Sequence, residues 1–202
     1  MKKKNKIIII GSVSAGTSAA AKIRRKSEDA EIVIYERDKY ISYGTCGLPY
    51  FLSGEIKDIN RLIINTEKRF EKRFNAKVNT LHEVTGIEPD KKTVYVRSLK
   101  TGESFKDNFD NLIITTGSVP VELKFNGKSP ENIFTLKNID DAVNLKDYMD
   151  KLDASNGRKN AVIIGGGFVG LELLDASVKR GYQVRIIEKT SQILPMFDSK
   201  MI

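Results

Sequence analysis

One arrangement occurs twice in this chain and restricts its fold more than any other feature: strand, glycine turn, helix, strand, acid. Lys6–Ile10 is an unbroken β-branched run ended by Gly11, as expected of a strand buried on both faces. GSVSAG follows from Gly11 to Gly16, and Ala15–Lys26 has the small-residue face and basic far side of a helix packed on a sheet. A second strand is expected over 31–35, closed by Glu36, 20 residues beyond Gly16. The pattern returns 154 residues later. There, residues 161–164 form a strand, GGGFVG runs from Gly165 to Gly170, and residues 171–179 form a helix. Gln183–Ile187 forms a strand, and Glu188 lies 18 residues past Gly170. That interval is too long for a solenoid and suits two nucleotide sites in one polypeptide.

The chemistry of each unit follows from its parts. Amides of a glycine turn and of the helix it opens can bind a pyrophosphate. An acid about 20 residues on can accept hydrogen bonds from an adenosine ribose. The first copy is imperfect, because Val13 holds the middle glycine position. Taken alone it reads nearly as well as a plain βαβ turn. The second copy is complete and suits NAD(P). Glu188 would accept a bond from a free 2′-hydroxyl and repel a 2′-phosphate, which favours NADH, although Arg185 and Lys189 flank it. Two sites are needed when a nicotinamide passes hydride to a flavin and the flavin reduces a nearby sulfur.

Such a sulfur is present. Cys46 is the only cysteine of the 202 residues, within ISYGTCGLPY, residues 41–50. The apolar run 48–52 behind it reads as one or two helical turns. A thiol at a helix start feels the positive end of the helix dipole, which favours thiolate. The competing reading is a buried, inert cysteine. One cysteine rules out an intramolecular disulfide, and with a single histidine, His82, no metal site is expected. No apolar run approaches the length of a membrane span, and a cytoplasmic location is expected. The net charge of +8 raises the possibility of nucleic acid. Its carriers lie on helix faces, however (Lys22, Arg24, Arg25 and Lys26, then Lys68, Arg69, Lys72 and Arg73), without interleaved aromatics. A solvated face, or a rim attracting a small polyanion, accounts for them, and no nucleic-acid partner is expected.

Elsewhere, a polar stretch after Cys46 leads to a basic helix over Glu67–Phe74 and a short strand over 77–80. A hairpin joins Thr93–Ser98 to 103–108. A buried strand within 109–120, FDNLIITTGSVP, runs into a Thr-Gly turn. A loop is expected at 127–132, an amphipathic helix over 139–152 and a polar link at 155–159.

Together these segments resemble the pyridine nucleotide–disulfide oxidoreductases that use a single redox cysteine. The resemblance is carried by GSVSAG with SAAAKIRR, SYGTCGLPY, LHEV at 81–84, FDNLIITTGSVP, and GGGFVGLE with Glu188. It implies an α/β protein: a Rossmann-like FAD-binding domain with an inserted, truncated NAD(P)-binding Rossmann-like domain. The expected limits are 1–118 for the first, with the hairpin at 93–108, 119–158 for a connection, and 159–202 for the second. FAD would contact Gly11, Ser12, Val13, Ser14, Ala15, Gly16, Glu36, Arg37, Val84, Thr116 and Gly117. NAD(P)H would contact Gly165, Gly167, Phe168, Val169, Gly170 and Glu188.

Cys46 would be the nucleophile, resting as a mixed disulfide with coenzyme A or as a sulfenic acid. Ser18, Lys22, Arg25, Ser42 and Thr45 match coenzyme A-contacting positions, with Lys22 in place of a neutral amide and Thr45 in place of Asn. Lys22 and Arg25 also share a helical face, so their charges could pair with phosphates. CGLPY points to a coenzyme A-disulfide reductase. An NADH oxidase, acting on oxygen through a cysteine sulfenic acid, is the alternative, and a persulfide or polysulfide reductase another. Ser14, where the peroxidase branch carries histidine, disfavours a peroxidase. His82 is expected to be structural, in a strand-end loop, and Tyr43 and Tyr50 to be packing residues.

Relatives of this type continue past residue 202 with the rest of both domains and a dimerisation domain that would make a homodimer. The chain is therefore expected to be an N-terminal portion with uncovered apolar faces and poor activity. A non-catalytic nucleotide-binding fragment is the reading of another class.

Overall fold

The structure, a computed structural model, describes residues 4–121, 131–155, 158–198 and 200. In chain order its elements are β1 (Lys6–Ile10), α1 (Ala15–Lys26), β2 (Glu31–Glu36), β3 (Ser42–Tyr43), α2 (Leu48–Ser53), β4 (Ile63–Asn65) and α3 (Glu67–Phe74). Then come β5 (Ala76–Thr80), β6 (His82–Glu88), β7 (Thr93–Ser98), β8 (Ser104–Asn108), β9 (Asn111–Ile114), α4 (Ile139–Ala154), β10 (Asn160–Ile164), α5 (Phe168–Lys179) and β11 (Gln183–Ile187). Short 3-10 turns occupy Thr45–Gly47 and Ile59–Leu62. The chain divides into two compact units, one of residues 1–43 with 63–119, the other of 44–62 with 120–202. Among the described residues no helix is long and apolar enough to cross a membrane.

In the first unit β5-β2-β1-β9 form a wholly parallel sheet. Strand β1 explains its own composition. Ile7 and Ile9 point into a core with Ile32, Ile34 and Phe70, while Ile8 and Ile10 meet Val33, Val94 and Val96 on the other face. Each fully buried isoleucine stabilises the fold by roughly 2–3 kcal/mol. Helix α1 lies close to the sheet because the residues it buries are Gly16, Thr17 and Ala20. The second layer is the antiparallel sheet β6-β7-β8.

Four expectations are corrected here. Residues 82–88 are a strand rather than a strand-end loop, because Val84 and Ile87 pair with Val96 and Val94 of the expected hairpin. The polar stretch after Cys46 contains strand β4, which pairs antiparallel with β3. The strand of 109–120 is only four residues long and lies at the sheet edge, with Ile114 59% exposed rather than buried. Arg24 is not solvated. Its guanidinium donates to the carbonyls of Phe74 and Asn75 at the end of α3 and of Ser27, Glu28 and Ala30 beyond α1. Residues 127–130 of the expected loop and 156–157 of the expected link lie outside the described residues.

In the second unit β10 and β11 pair in parallel, from Asn160 opposite Gln183 to Ile164 opposite Ile187. Helix α5 connects them and packs against α2, which also packs against α4. One face of this two-stranded sheet presents Val162, Ile164 and Ile187, each more than half exposed.

Candidate functional site

Each glycine turn is built by steric necessity. Gly11 has φ +87°, and a side chain there would place Cβ 2.4 Å from the Thr115 carbonyl oxygen. A Cβ on Gly16 would lie 2.0 Å from the Gly11 carbonyl oxygen. The second turn repeats this: Gly165 has φ +106°, and a Cβ on Gly170 would lie 2.0 Å from the Gly165 oxygen. Gly167, the middle glycine, has open space around it, and Val13 is tolerated at the matching place in the first turn.

The acids close both turns alike. Buried Glu36 accepts from the Ser12 amide (2.7 Å) and hydroxyl (2.6 Å) through Oε2, and from the Asp38 amide (2.9 Å) through Oε1. Glu188 accepts from the Gly166 amide (2.6 Å) through Oε2, and from the Thr190 amide (2.9 Å) and hydroxyl (3.0 Å) through Oε1. The Thr190 amide first, then those of Gly166 and the Thr190 hydroxyl, hold the Glu188 carboxyl down at about 2. Three bonds leave a carboxylate about one lone-pair site, enough to accept from a ribose hydroxyl.

The helix starts differ by purpose. Thr66 caps α3 and Asn138 caps α4 by accepting from amides of the first turn, and α4 adds Asp140 and Asp141 there. Neither α1 nor α5 has a side-chain cap or an acid in its first turn. The positive end of each dipole therefore meets no capping side chain, as an anion site requires.

Around the first turn the structure gathers part of the expected set. Ser12 is buried, while Ser14 and Ala15 are exposed at the helix mouth. Thr116 backs onto Gly11, and Gly117 has φ +69°, as a Thr-Gly turn requires. The residue not foreseen was Thr115, whose hydroxyl donates to the carbonyls of Ile10 (2.9 Å) and Gly11 (2.8 Å). A threonine pair at a strand end was the only signal for it. Arg37 is exposed directly after Glu36, and Val84 is half-buried against the second core. Ser18, Lys22 and Arg25 lie on the exposed face of α1, whereas Ser42 is buried in β3.

Cys46 is exposed, which excludes the inert-core reading. It sits in the Thr45–Gly47 turn, beside exposed Thr45, immediately before α2. Tyr43 is buried, its ring edge-on to Tyr40, in keeping with packing. Tyr50 is 48% exposed and is not a packing residue. With Pro49, Phe168, Leu171 and Glu172 it lines a hollow of about 250 Å³ between α2 and α5. Phe168 and Val169 stand exposed on the second turn. His82 Nδ1 donates to the Thr80 carbonyl (2.7 Å), and its ring lies near those of Tyr35 and Phe105, a structural position.

Comparison with known proteins agrees with this architecture. Residues 5–202 match the pyridine nucleotide-disulphide oxidoreductase family. A coenzyme A disulfide reductase of Staphylococcus haemolyticus is 33% identical over 196 residues, covering 97% of this chain and 43% of that relative. The structure of reduced Bacillus anthracis CoADR-RHD superposes with a TM-score of 0.92 at 36% identity, over 98% of this chain and 35% of that one. The water-forming NADH oxidase of Lactobacillus brevis, bound to NADH, gives 0.87 at 31% identity, over 98% and 43%. The chain thus spans less than half the length of these relatives. With two nucleotide-type βαβ units and a match over nearly its whole length, the chain belongs to the pyridine nucleotide-disulphide oxidoreductase family.

Proposed function

We propose that this chain belongs to an FAD-dependent oxidoreductase that uses NADH to reduce a low-molecular-weight disulfide, coenzyme A disulfide being the first candidate. The observation that carries the reading is the pair of uncapped helices, each opened by a glycine turn and each closed by a strand-end acid. In this reading residues 1–118 serve the flavin and 159–202 the nicotinamide, with 119–158 between them.

The groups present fit both cofactors. The turn Gly11–Gly16 (Gly11, Ser12, Val13, Ser14, Ala15, Gly16) would hold the FAD pyrophosphate, with Glu36 on the ribose and Arg37, Val84, Thr116 and Gly117 alongside. Gly165, Gly167, Phe168, Val169 and Gly170 would hold NADH, with Glu188 on its ribose. A bound flavin supplies the relay for two electrons from nicotinamide to sulfur. Cys46 Sγ attacks one sulfur of the substrate disulfide, forming a mixed disulfide and expelling the first thiolate. Two electrons then cleave that bond, releasing the second thiol and restoring the Cys46 thiolate. Over the cycle one disulfide, one NADH and one proton give two thiols and NAD⁺. Lys22 and Arg25, with Ser18, Ser42 and Thr45, would bind the substrate's polyanionic end.

The test is NADH turnover by the full-length protein with coenzyme A disulfide against dissolved oxygen. Disulfide-dependent turnover abolished by Cys46→Ser is the expected result, and Cys46-independent turnover would defeat it. The likeness to the Lactobacillus brevis oxidase supports a second reading, in which oxygen is reduced and Cys46 cycles through sulfenic acid. Oxygen consumption matching NADH oxidation without added disulfide would decide for it. A homodimer located in the cytoplasm, with no membrane or nucleic-acid partner, completes the reading.

A further inference from the structure

The second unit contains an ionic tie that lies outside its glycine turn and outside the Thr45–Gly47 turn. Arg180, which ends α5, has a side chain only 9% exposed. Its Nη2 donates to Asp153 Oδ2 (2.6 Å) and to Asp150 Oδ1, and its Nε donates to Asp153 Oδ2 (3.2 Å). Both carboxylates belong to α4. Burial pushes the Asp153 carboxyl up, but hydrogen bonds from Arg180 and Lys159 outweigh it and hold the group below the usual range. The remaining fork nitrogen, Nη1, donates to the main-chain carbonyl of Leu52 (3.1 Å).

That carbonyl matters because of where it lies. Helix α2 is six residues long and ends at Gly54 in the left-handed region. The carbonyls of Tyr50 and Phe51 find local donors, the amides of Ile56 and Gly54. The Leu52 carbonyl takes its donor from Arg180, 128 residues away. Next to it, Lys179 bridges Glu55 (2.7 Å) and Asp175 (2.8 Å). The other end of α2 carries the Cys46 turn, continuous with it. The Gly47 amide donates to the Gly44 carbonyl, the Gly44 amide to that of Leu62, and Gly47 lies so close on Leu62 that a Cβ would sit 2.3 Å from its Cδ2.

The Thr45–Gly47 turn and α2 are therefore one short piece, fastened at its far end to the last residues of α5. The opposite end of α5 is the Gly165–Gly170 turn.

We propose that Arg180 is a positioning residue for Cys46: through the Leu52 carbonyl and the α4 carboxylates it sets the seat of the cysteine helix on the helix that opens at the second glycine turn. The planar fork is what the role requires. It reaches two carboxylates and a carbonyl at once from one rigid plane, whereas an ammonium is a point charge on a flexible stem.

This inference rests on Cys46 being the reacting sulfur, so two readouts are taken in the full-length protein loaded with its cofactor. The first is disulfide reduction. Arg180→Met should lower kcat about tenfold while the KM for NADH stays within about twofold. Arg180→Lys should recover part of the loss, to about threefold below the parent. The second is the rate of iodoacetamide alkylation at Cys46, followed by mass of the peptide well below the melting temperature. It should change at least threefold in Arg180→Met. A lower melting temperature with kcat and alkylation rate both unchanged would make Arg180 merely structural and overturn the proposal. Should Arg180→Met not fold, Arg180→Lys decides on the same two readouts, and parent-like values overturn it. If the parent enzyme reduces no disulfide, the functional reading fails and alkylation alone decides the positioning role.

Discussion

The two glycine turns share a plan, and they differ in what surrounds them. In both, the first and last glycines are forced: positive φ at Gly11 and Gly165, and a last glycine (Gly16, Gly170) whose Cβ would run into the first one's carbonyl. In both, an acid at the end of the second strand braces the turn's next amide. The first turn sits under a neighbouring strand end, where the Thr115 backbone leaves no room beside Gly11. The second has nothing within 4 Å of the same position on Gly165. Glu36 is buried, and Glu188 is only half-buried. The comparison teaches that the outer glycines of such a motif answer to the chain's own sterics. The middle one does not, and is free to vary where no ligand atom approaches it.

This difference can be broken or sharpened by substitution, with hydrogen exchange read separately in each unit. The largest effect should come from Gly16→Ala and Gly170→Ala, which bring a methyl onto a backbone oxygen in either turn. Each should cost on the order of 4 kcal/mol, about equally. A mild effect in one alone would end the shared plan.

Next, Gly11→Ala should cost about 3 kcal/mol, from strain and collision together, against about 1–2 kcal/mol for Gly165→Ala, from strain alone. Equal losses would show that the Thr115 ceiling is unimportant. Glu36→Ala should cost about 2 kcal/mol by leaving the Ser12 amide buried without an acceptor, and Glu188→Ala should cost less. The pH dependence separates the acids further. Glu188 has a folded-state value depressed to about 2 from 4.5. Its contribution is therefore complete above the ordinary glutamate range and lost as pH falls toward 2. Protection of the Gly166 amide should follow that curve, and loss of protection already near pH 5 would contradict the hydrogen bonds. Smallest of all, Val13→Gly should change stability by no more than about 1 kcal/mol, through the freedom gained by the unfolded chain.

Much of this was readable without coordinates, for local reasons. The KIIII run announced a strand buried on both faces, GGGFVG announced a turn, and their order with an acid defined βαβ units. Strand β6 was not readable, because HEVTGIE alternates weakly and becomes a strand only by pairing with β7. Strand β9 looked buried from its isoleucines, yet edge placement in the sheet exposes Ile114. Arg24 read as an ordinary cation on a helix face, and nothing in the sequence marked Arg180. Their carbonyl and carboxylate partners are distant in sequence, apart from those of Arg24 just past α1, and no spacing rule brings them together.

By itself, then, the sequence determined what depends on covalent neighbours: backbone freedom at glycines, hydrophobic period, the distance from turn to acid, and a lone thiol ahead of a short helix. Tertiary structure alone decided which strands lie at an edge, that Cys46 is exposed, and that Arg180 reaches the end of the cysteine helix. These depend on packing between segments far apart along the chain, where burial and hydrogen-bond satisfaction rather than local propensity choose the partners.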